Sequence, residues 1–547
     1  MSAARVQAPV DPITTEILRS GFAAVAQEMK DVLMRAAFSP VLSLSGDLSC
    51  AILDPAGEVV AQGVDIPVHL GAMPFTARGL LEAFPPEALA PGDTLLTNDP
   101  FSGGTHLPDM TLLSPVFDDD GIVAFAASRA HWPDVGGSSP GSNKATDEIY
   151  KEGLRVPPVK LLEGGEFNGP ILELILANMR LPADRLGDLR AQIAANVRGV
   201  QRVSEIVDRY GGDVVREVAQ AAQDYSQSRV EQALEAWPDG SWSHEEAMDG
   251  DGVGPDDPER HTLRVTVTKR GRRLVVDFAG TSPAVPGPTN APIAVTASAA
   301  YYVALALFGR GDIPPNSGAY RPVEVRVPPG SMVDARPPSP VVAANTETAN
   351  RIVDVLLGAL AQAQPLRVPA ASYGSAGVFT IAGHDPARGA RFVHYETVGG
   401  GMGASSAVDG LSGMRVHMGN TMNLPVESLE AAMPVRVARY ELIEGSGGNG
   451  QRRGGEGVRK VVRALVDGVE CSTLGERART PAEGRAGGGP GRPARFGMRA
   501  ADGTFRAIPS KYGGLVLAAG EELWIETAGG GGWGDPAGAP GTKEEER

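Results

Sequence analysis

The sequence predicts a mixed α+β protein with several α/β layers, a helical segment in the middle and a β-rich C-terminal region. Two stretches, 186–210 and 213–234, carry apolar residues at helical spacing. Apolar residues instead alternate from Leu263 to Phe278, which is typical of a strand hairpin with one buried face. The 70 glycines and 44 prolines indicate many tight turns and ordered loops rather than a helical bundle.

The N-terminal region is predicted to open with a helix. Asp11 is placed to cap it, and Pro12 takes the first helical position, where a missing N–H does no harm. Apolar spacing carries this helix to about Ala37. The further elements predicted in this region are strands at 48–53, 58–61, 94–97 and 122–127, and a helix at 74–84.

Later in the chain, a buried helix is predicted at 291–307 and a strand at 323–327. A second helix is predicted at 345–363, with Asn345 or Thr346 at its cap and Glu347 in its first turn. These changes of pattern divide the chain into four regions. They are an N-terminal α/β metal-binding region at 1–168, a helical segment at 169–240, a central α/β region at 241–440, and a β-rich region at 441–547 ending in a disordered tail.

Composition excludes several classes of function. A net charge of −16 disfavours binding to nucleic acid or anionic lipid. The two cysteines, Cys50 and Cys471, provide neither a disulfide framework nor a cysteine zinc site. We find no signal peptide and no apolar run of membrane-spanning length. We therefore predict a cytoplasmic protein with no nucleic-acid or membrane partner.

A candidate metal site lies between Asn98 and Gly141. His106 and Asp109 are three residues apart behind a glycine-rich loop, and His131 follows the strand predicted at 122–127. Two imidazoles and a carboxylate suit Zn, Mn or Fe(II) and leave a coordination position open. Because His-x-x-Asp is short and common, ordinary turn or core histidines remain an alternative. Asp47 precedes another strand and is either a further ligand, a general base or a turn cap.

A second glycine-rich loop runs from Tyr395 to Ala404. Its backbone N–H groups could hold an anion. Alternatively, it is a packed turn where two backbones meet. Neither a GxxxxGK[ST] loop nor a GxGxxG fingerprint in a βαβ setting is present, so the chain carries no recognisable nucleotide site of its own.

Several motifs together resemble the hydantoinase B/oxoprolinase family. Their order and spacing are similar from about residue 10 to residue 537. They are Asp11-Pro12 with its helix, Asn98 through Asp109, Tyr395 through Ala404, Asn420 through Glu427, Ser446 through Gly457, and Gly529 through Pro536. The family includes subunits of ATP-dependent N-methylhydantoinase, 5-oxoprolinase and caprolactamase, and related subunits of ketone carboxylases.

This resemblance implies a hetero-oligomer with a hydantoinase A-type ATPase subunit. That partner would bind ATP and phosphorylate the carbonyl oxygen of a small cyclic amide. A divalent metal, Zn, Mn or Fe, would be the cofactor of the present chain. The family's metal ligands carry over onto Asp47, His106, Asp109 and His131, although the segment around Asp47 departs from the family pattern.

Further roles are predicted from residue type and proximity in sequence. A bound metal lowers the pKa of its water, and Asp134 or Asp47 would accept the remaining proton. Backbone N–H groups would stabilise the developing oxyanion charge. The candidates for that role are Gly136, Gly137, Gly399, Gly400 and Gly401.

We therefore predict the catalytic subunit of an ATP-dependent cyclic amidase that opens a hydantoin, 5-oxoproline or lactam ring. Two alternatives remain open from the sequence. One is a subunit of an ATP-dependent ketone carboxylase, and the other is a non-catalytic assembly subunit.

Overall fold

The computed structural model describes residues 10–142, 145–253, 261–309 and 311–538, and it confirms the mixed α+β class. The α-helices of these ranges are Pro12–Ala36, Pro40–Ser43, Pro67–Ala83, Gly169–Ala177, Pro182–Tyr210, Gly212–Glu235, Ile293–Phe308, Ser317–Tyr320, Ala349–Ala361 and Val426–Ala432. None of the helices in the described ranges is both long and apolar enough to cross a bilayer. The tail Lys543–Arg547, predicted to be disordered, lies outside the described residues.

The first sheet carries the residues of the predicted metal site. Its strands in the described residues are, in spatial order, Val59–Gln62, Leu48–Leu53, Gly121–His131, Asp109–Asp118, Thr94–Thr97, Val159–Glu163 and Glu166–Phe167. Every neighbouring pair is antiparallel. Side chains alternate between the two faces, so Cys50 and Ile52 join one apolar cluster while Ala51 and Leu53 join another.

Helices cover both faces of this sheet. The long helices Pro12–Ala36 and Pro182–Tyr210 pack against each other and against one face. Met73, Ala77 and Leu80 of the helix Pro67–Ala83 pack on the other. Because both faces are buried, the central strand Gly121–His131 reads as an almost continuous apolar run rather than an alternating one.

The strands Asp109–Asp118 and Gly121–His131 form a hairpin whose register places the site. Near the turn Phe117 pairs with Ile122, but a bulge between Val116 and Phe117 shifts the register by one residue. As a result Asp109 pairs directly with His131 at the far end. Their side chains therefore share one face, about 10 residues from the turn that joins their strands.

Three further sheets are found within the described ranges. The second sheet contains Val323–Arg326, Arg273–Asp277, Thr262–Arg270 and Gly240–Ala247. The third contains Ala390–Thr397, Val378–Asp385, Val469–Leu474 and Tyr512–Leu517. The fourth contains Val435–Leu442, Val458–Ala464, Glu522–Glu526, Arg495–Arg499 and Phe505–Ile508.

Two of the helix starts that differ from the predictions bear on the site. The helix predicted from Pro74 begins at Pro67, so Pro74 lies inside it. Its packing against the helix Ile293–Phe308, where the Ser298 hydroxyl donates to the Pro67 carbonyl oxygen at 3.0 Å, outweighs the hydrogen bond that proline cannot make.

The second difference concerns the predicted caps Asn345 and Thr346. The α-helix begins at Ala349, and 344–348 form a π-helical turn. Neither side chain caps a helix, and both line a cavity described below. Single π-helical turns of this kind are frequent at functional sites.

The glycine-rich segments near 401, 448–457, 489 and 530–532 pack backbone against backbone. Gly401 N–H donates to the Ala528 carbonyl oxygen at 3.0 Å, and Gly530 N–H donates to the Gly455 carbonyl oxygen at 2.9 Å. A Cβ added at Gly530 would lie 2.1 Å from the Met402 carbonyl oxygen, and one at Gly455 would lie 1.9 Å from that of Leu411. Much of the glycine in the C-terminal half is therefore required by close backbone packing.

We expect Gly530→Ala and Gly455→Ala to lower the melting temperature by about 1–3 °C, because backbone atoms must move to admit the methyl group and each kcal/mol shifts the midpoint of so long a chain by only about 1 °C. Gly169→Ala is the matched control, since its Cβ would meet no atom within 4 Å and it lies in a helix. Differential scanning calorimetry checks both. Wild-type melting of the Gly530 variant would contradict the close packing.

Candidate metal centre

His106, Asp109 and His131 converge on one point, and each is buried. His106 Nε2 lies 3.2 Å from His131 Nδ1 and 3.1 Å from Asp109 Oδ1, while His131 Nδ1 lies 3.3 Å from the same oxygen. Ligand atoms about 2.1 Å from a tetrahedral ion are about 3.4 Å apart, which is close to these separations. The donor set therefore fits a divalent metal ion such as Zn²⁺.

Burial acts to lower the pKa of His106, but the Asp109 carboxylate raises it, so a bound ion would take the place of a proton on this ring. Burial alone would raise the pKa of Asp109, but the neighbouring His106 and His69 imidazoles hold that pKa well below its usual range. Asp109 is therefore ionised at neutral pH. His106 Nδ1 lies 3.0 Å from the Val342 carbonyl oxygen, so this nitrogen carries the proton when the ring is neutral. That tautomer leaves the Nε2 lone pair facing the other two ligand atoms.

Two donors fix the second oxygen of Asp109. The Thr105 hydroxyl donates to Oδ2, and Asn345 Nδ2 donates to the same oxygen at 2.8 Å. Both donors are themselves buried. They orient the carboxylate so that Oδ1 faces the imidazoles, which is the role that hydrogen-bond partners of metal ligands commonly have.

His69 is a third buried imidazole at this site, and the sequence pattern predicted no role for it. Its Nε2 lies 3.3 Å from Asp109 Oδ2 and 3.8 Å from Asp47 Oδ1. Beneath it, the buried Arg129 guanidinium donates to the His69 carbonyl oxygen at 3.1 Å, and burial lowers the pKa of Arg129 to about 10. The only local signal was a histidine just after Pro67, at the start of a helix.

Asp47 lines the same cavity, and its carboxylate is a neighbour of the His69 ring. Its backbone carbonyl oxygen accepts a hydrogen bond from His131 N–H at 3.0 Å, which ties the start of one strand to the end of its neighbour. Its carboxylate is not part of the three-residue cluster in which all ligand atoms lie within 4.8 Å of one another.

The structure does not bring Asp134 to this centre. Its carboxylate accepts hydrogen bonds from the Arg180 side chain at 2.8 Å and from the backbone N–H groups of Arg180 and Gly141 at 3.2 and 3.1 Å. Asp134 is also not among the residues that line the cavity. Because the ion pair with Arg180 engages its carboxylate, we assign it no proton-accepting role.

Of the predicted oxyanion donors, the N–H groups of Gly136, Gly400 and Gly401 are engaged elsewhere. Gly136 N–H faces the Asp134 carboxylate at 3.4 Å, and the carbonyl oxygens of Gly136 and Gly137 accept from Arg180. Gly400 N–H donates to Met414 and Gly401 N–H to Ala528. A Cβ at Gly399 would lie 2.3 Å from the Gly413 carbonyl oxygen. Close backbone packing, the alternative considered from the sequence, accounts for the 399–401 loop.

The cavity that His106 and His131 line has a volume of about 30 Å³. That volume is enough for an ion or about one water molecule. The residues that line it are Asp47, Ile66, Val68, His69, His106, His131, Asn345, Thr346, Asn350, Tyr395, Thr397, Arg415, Met418, Gly419 and Thr421. The Tyr395 ring lies on that of His131, with centroids 4.3 Å apart.

Several buried polar atoms at this cavity have no hydrogen-bond partner among the described residues. They are His131 Nε2, Asn345 Oδ1 and Thr346 Oγ1. Buried polar groups in folded proteins are nearly always paired, so these three are candidates for contacts with a bound ligand.

Comparisons with known proteins identify the family of the chain. Residues 11–536 match the family model described as Hydantoinase B/oxoprolinase. An uncharacterized protein of Methanocaldococcus jannaschii is 36% identical over 96% of this chain and 91% of its own length. 5-Oxoprolinase 1 of Arabidopsis thaliana is 34% identical over 96% of this chain, which spans only 42% of that relative.

Solved structures show the same fold. The crystal structure of an ATP-dependent caprolactamase from Pseudomonas jessenii matches with a TM-score of 0.89 and 32% identity, covering 97% of this chain and 92% of that one. A nucleotide-free acetone carboxylase matches with a TM-score of 0.89 at 18% identity, covering 97% and 76%, and this likeness shows the fold alone. With the family model matched from end to end of the described fold, the chain belongs to the hydantoinase B/oxoprolinase family.

Proposed function

We propose that this chain is the metal-dependent catalytic subunit of an ATP-dependent cyclic amidase. The observation that carries the proposal is the convergence of His106, Asp109 and His131 within 3.3 Å of one another at a cavity. The names of relatives that are more than 30% identical, 5-oxoprolinase and caprolactamase, support a cyclic amide as substrate. A hydantoin, 5-oxoproline or another lactam fits this class.

The proposed chemistry divides between two proteins. An amide is a poor electrophile, and phosphorylation of its oxygen by an ATP-using hydantoinase A-type partner turns that oxygen into a leaving group. The absence of a nucleotide motif from this sequence supports that division. When bound, the divalent ion supplies a water of lowered pKa for attack on the activated carbon.

The chain's own residues hold and orient the reactants. His106, Asp109 and His131 are proposed to bind the ion, with Asp47 as an additional ligand or as the group that accepts the proton of the attacking water. Asn345 Oδ1 is proposed to accept the ring N–H, because it is buried without a partner. Tyr395 packs on His131 and excludes water from one side of the site.

Glu152 is proposed to position His106 through the intervening backbone. Its buried carboxylate accepts the N–H groups of Val341 and Val342, each at 2.9 Å, and the Val342 carbonyl oxygen faces His106 Nδ1. Burial raises the pKa of Glu152 to about 7 although these N–H groups act to lower it. The clamp thus fixes the peptide that sets the tautomer of a ligand.

The two alternative functions have less support. The likeness to acetone carboxylase is at 18% identity and concerns the fold. A non-catalytic assembly subunit would not need metal-binding side chains that line a cavity. Metal analysis combined with a ring-opening assay separates these functions.

We expect His106→Ala and His131→Ala to weaken metal binding and to abolish ring opening. Loss of a hydrogen-bond partner of a metal ligand costs roughly 10–100-fold in affinity, and loss of a ligand itself should cost more. His384→Ala, on the exposed part of a strand, is the matched control. Metal analysis after dialysis and an ATP-dependent lactam assay with the partner subunit measure the two effects. Full metal and activity in both variants would reject the site. Turnover lost while assembly is intact would exclude the assembly function.

Glu152→Ala is expected to weaken zinc binding about 10–100-fold because the Val341–Val342 peptide loses its anchor. Glu152→Gln keeps a carbonyl acceptor and should recover most of that affinity. Chelator competition gives the dissociation constants, and Glu166→Ala on an exposed strand serves as control. Equal zinc affinity in wild type and both Glu152 variants would exclude the positioning role.

The isolated chain is expected to hydrolyse no ATP above background, since the proposed partner carries the nucleotide site. A phosphate-release assay with and without the hydantoinase A-type subunit tests this. Robust hydrolysis by the purified chain alone would contradict the proposed division of labour.

A further inference from the structure

Arg415 lies on the wall of the cavity that contains His106, His131 and Asp47. One terminal nitrogen of its guanidinium donates to the Tyr373 hydroxyl at 3.1 Å and to the Ala376 carbonyl oxygen at 2.6 Å. These two contacts anchor the side chain in place. They engage a single nitrogen of the five-donor guanidinium fork.

The charge of Arg415 is not matched by a nearby carboxylate. Within the described ranges, no Asp or Glu oxygen forms an ion pair with it at 4 Å or less. Its Nε is buried and has no hydrogen-bond partner among the described residues. A partly buried arginine whose Nε–H has no acceptor can bind a carboxylate or a phosphate with two parallel hydrogen bonds.

Gly419 leaves space beside the Arg415 guanidinium. A Cβ built at Gly419 would lie 2.6 Å from the second terminal nitrogen of Arg415. Any larger residue would therefore press on the guanidinium from the cavity side. The glycine therefore leaves room beside this nitrogen in the cavity that both residues line.

The charges at the cavity also favour an anion as the group that Arg415 binds. Asp47 and Asp109 together carry two negative charges, which the divalent ion of the proposed function would offset. Arg415 then leaves the loaded site with a net positive charge. Such a site attracts an anion and disfavours a cationic substrate.

We infer that Arg415 binds an oxyanion carried by the substrate, and this inference rests on the proposed function. Two sources share this chemistry. One is a carboxylate on the ring, as in 5-oxoproline, and the other is the phosphoryl group on the activated carbonyl oxygen. In either case Arg415 holds the charged group of the substrate at the wall of this cavity, which is itself too small for the ring, and so determines which substrates are accepted.

Binding of small probes to the zinc-loaded chain tests the inference. The probes are inorganic phosphate, 5-oxoproline, and 2-pyrrolidinone as the uncharged ring of matched shape. In isothermal titration calorimetry, Arg415→Gln should weaken phosphate, 5-oxoproline or both by about 10-fold or more, and leave 2-pyrrolidinone unchanged. Arg436→Gln, an exposed arginine on a strand, is the control.

The outcomes are separable. Loss for phosphate alone assigns the phosphoryl group, loss for 5-oxoproline alone assigns the ring carboxylate, and loss for both assigns one shared subsite. Unchanged binding of both anions, or no anion binding by the wild type, overturns the inference. Arg415→Lys keeps the charge but lacks the fork, so an intermediate loss in this variant is informative even if Arg415→Gln is unstable.

The proposed function has its own readouts on the same preparations. These are bound zinc and ATP-dependent ring opening with the partner subunit. A wild type that opens a lactam ring but binds neither anion would overturn the Arg415 inference alone. A wild type that binds no metal would overturn the proposed function instead.

Discussion

A buried carboxylate held between imidazoles is the constraint on which the site depends. Asp109 is almost completely removed from solvent, and an isolated buried charge costs several kcal/mol. Here His106, His131 and His69 surround it, and Thr105 and Asn345 donate to it. The cost is offset only if all these groups stay in place.

The groups that surround Asp109 come from distant parts of the chain. The proposed metal ligands lie within the predicted N-terminal region at 1–168, whereas Asn345, Tyr395 and Arg415 come from the predicted central region at 241–440. The first set can hold an ion, and the second can contact a substrate. Because Asn345 also donates to Asp109 and Tyr395 packs on His131, the two sets are physically coupled.

Glycine has a different role here from the one its motifs suggest. The 399–401 loop looks like an anion-binding loop in sequence, yet its N–H groups at Gly400 and Gly401 bind other backbone carbonyls. Several glycine-rich segments cross so closely that a single methyl group would overlap a neighbouring carbonyl oxygen. The same segment does supply the site with a side chain, that of Tyr395, just before the glycines.

The sequence by itself determined the α+β class, the family and the choice of His106, Asp109 and His131 as candidate metal ligands. Helical and strand periodicity and the order of motifs are properties of the chain that need no tertiary structure. Only the tertiary structure decided which of the predicted groups meet. A one-residue bulge sets Asp109 opposite His131. Tertiary packing also stabilises the helix Pro67–Ala83 despite the internal Pro74, and this helix carries His69 to the site. The tertiary structure also directs Asp134 to Arg180 and Arg415 to the cavity. These placements depend on register and on contacts between residues far apart in sequence, which no local pattern encodes.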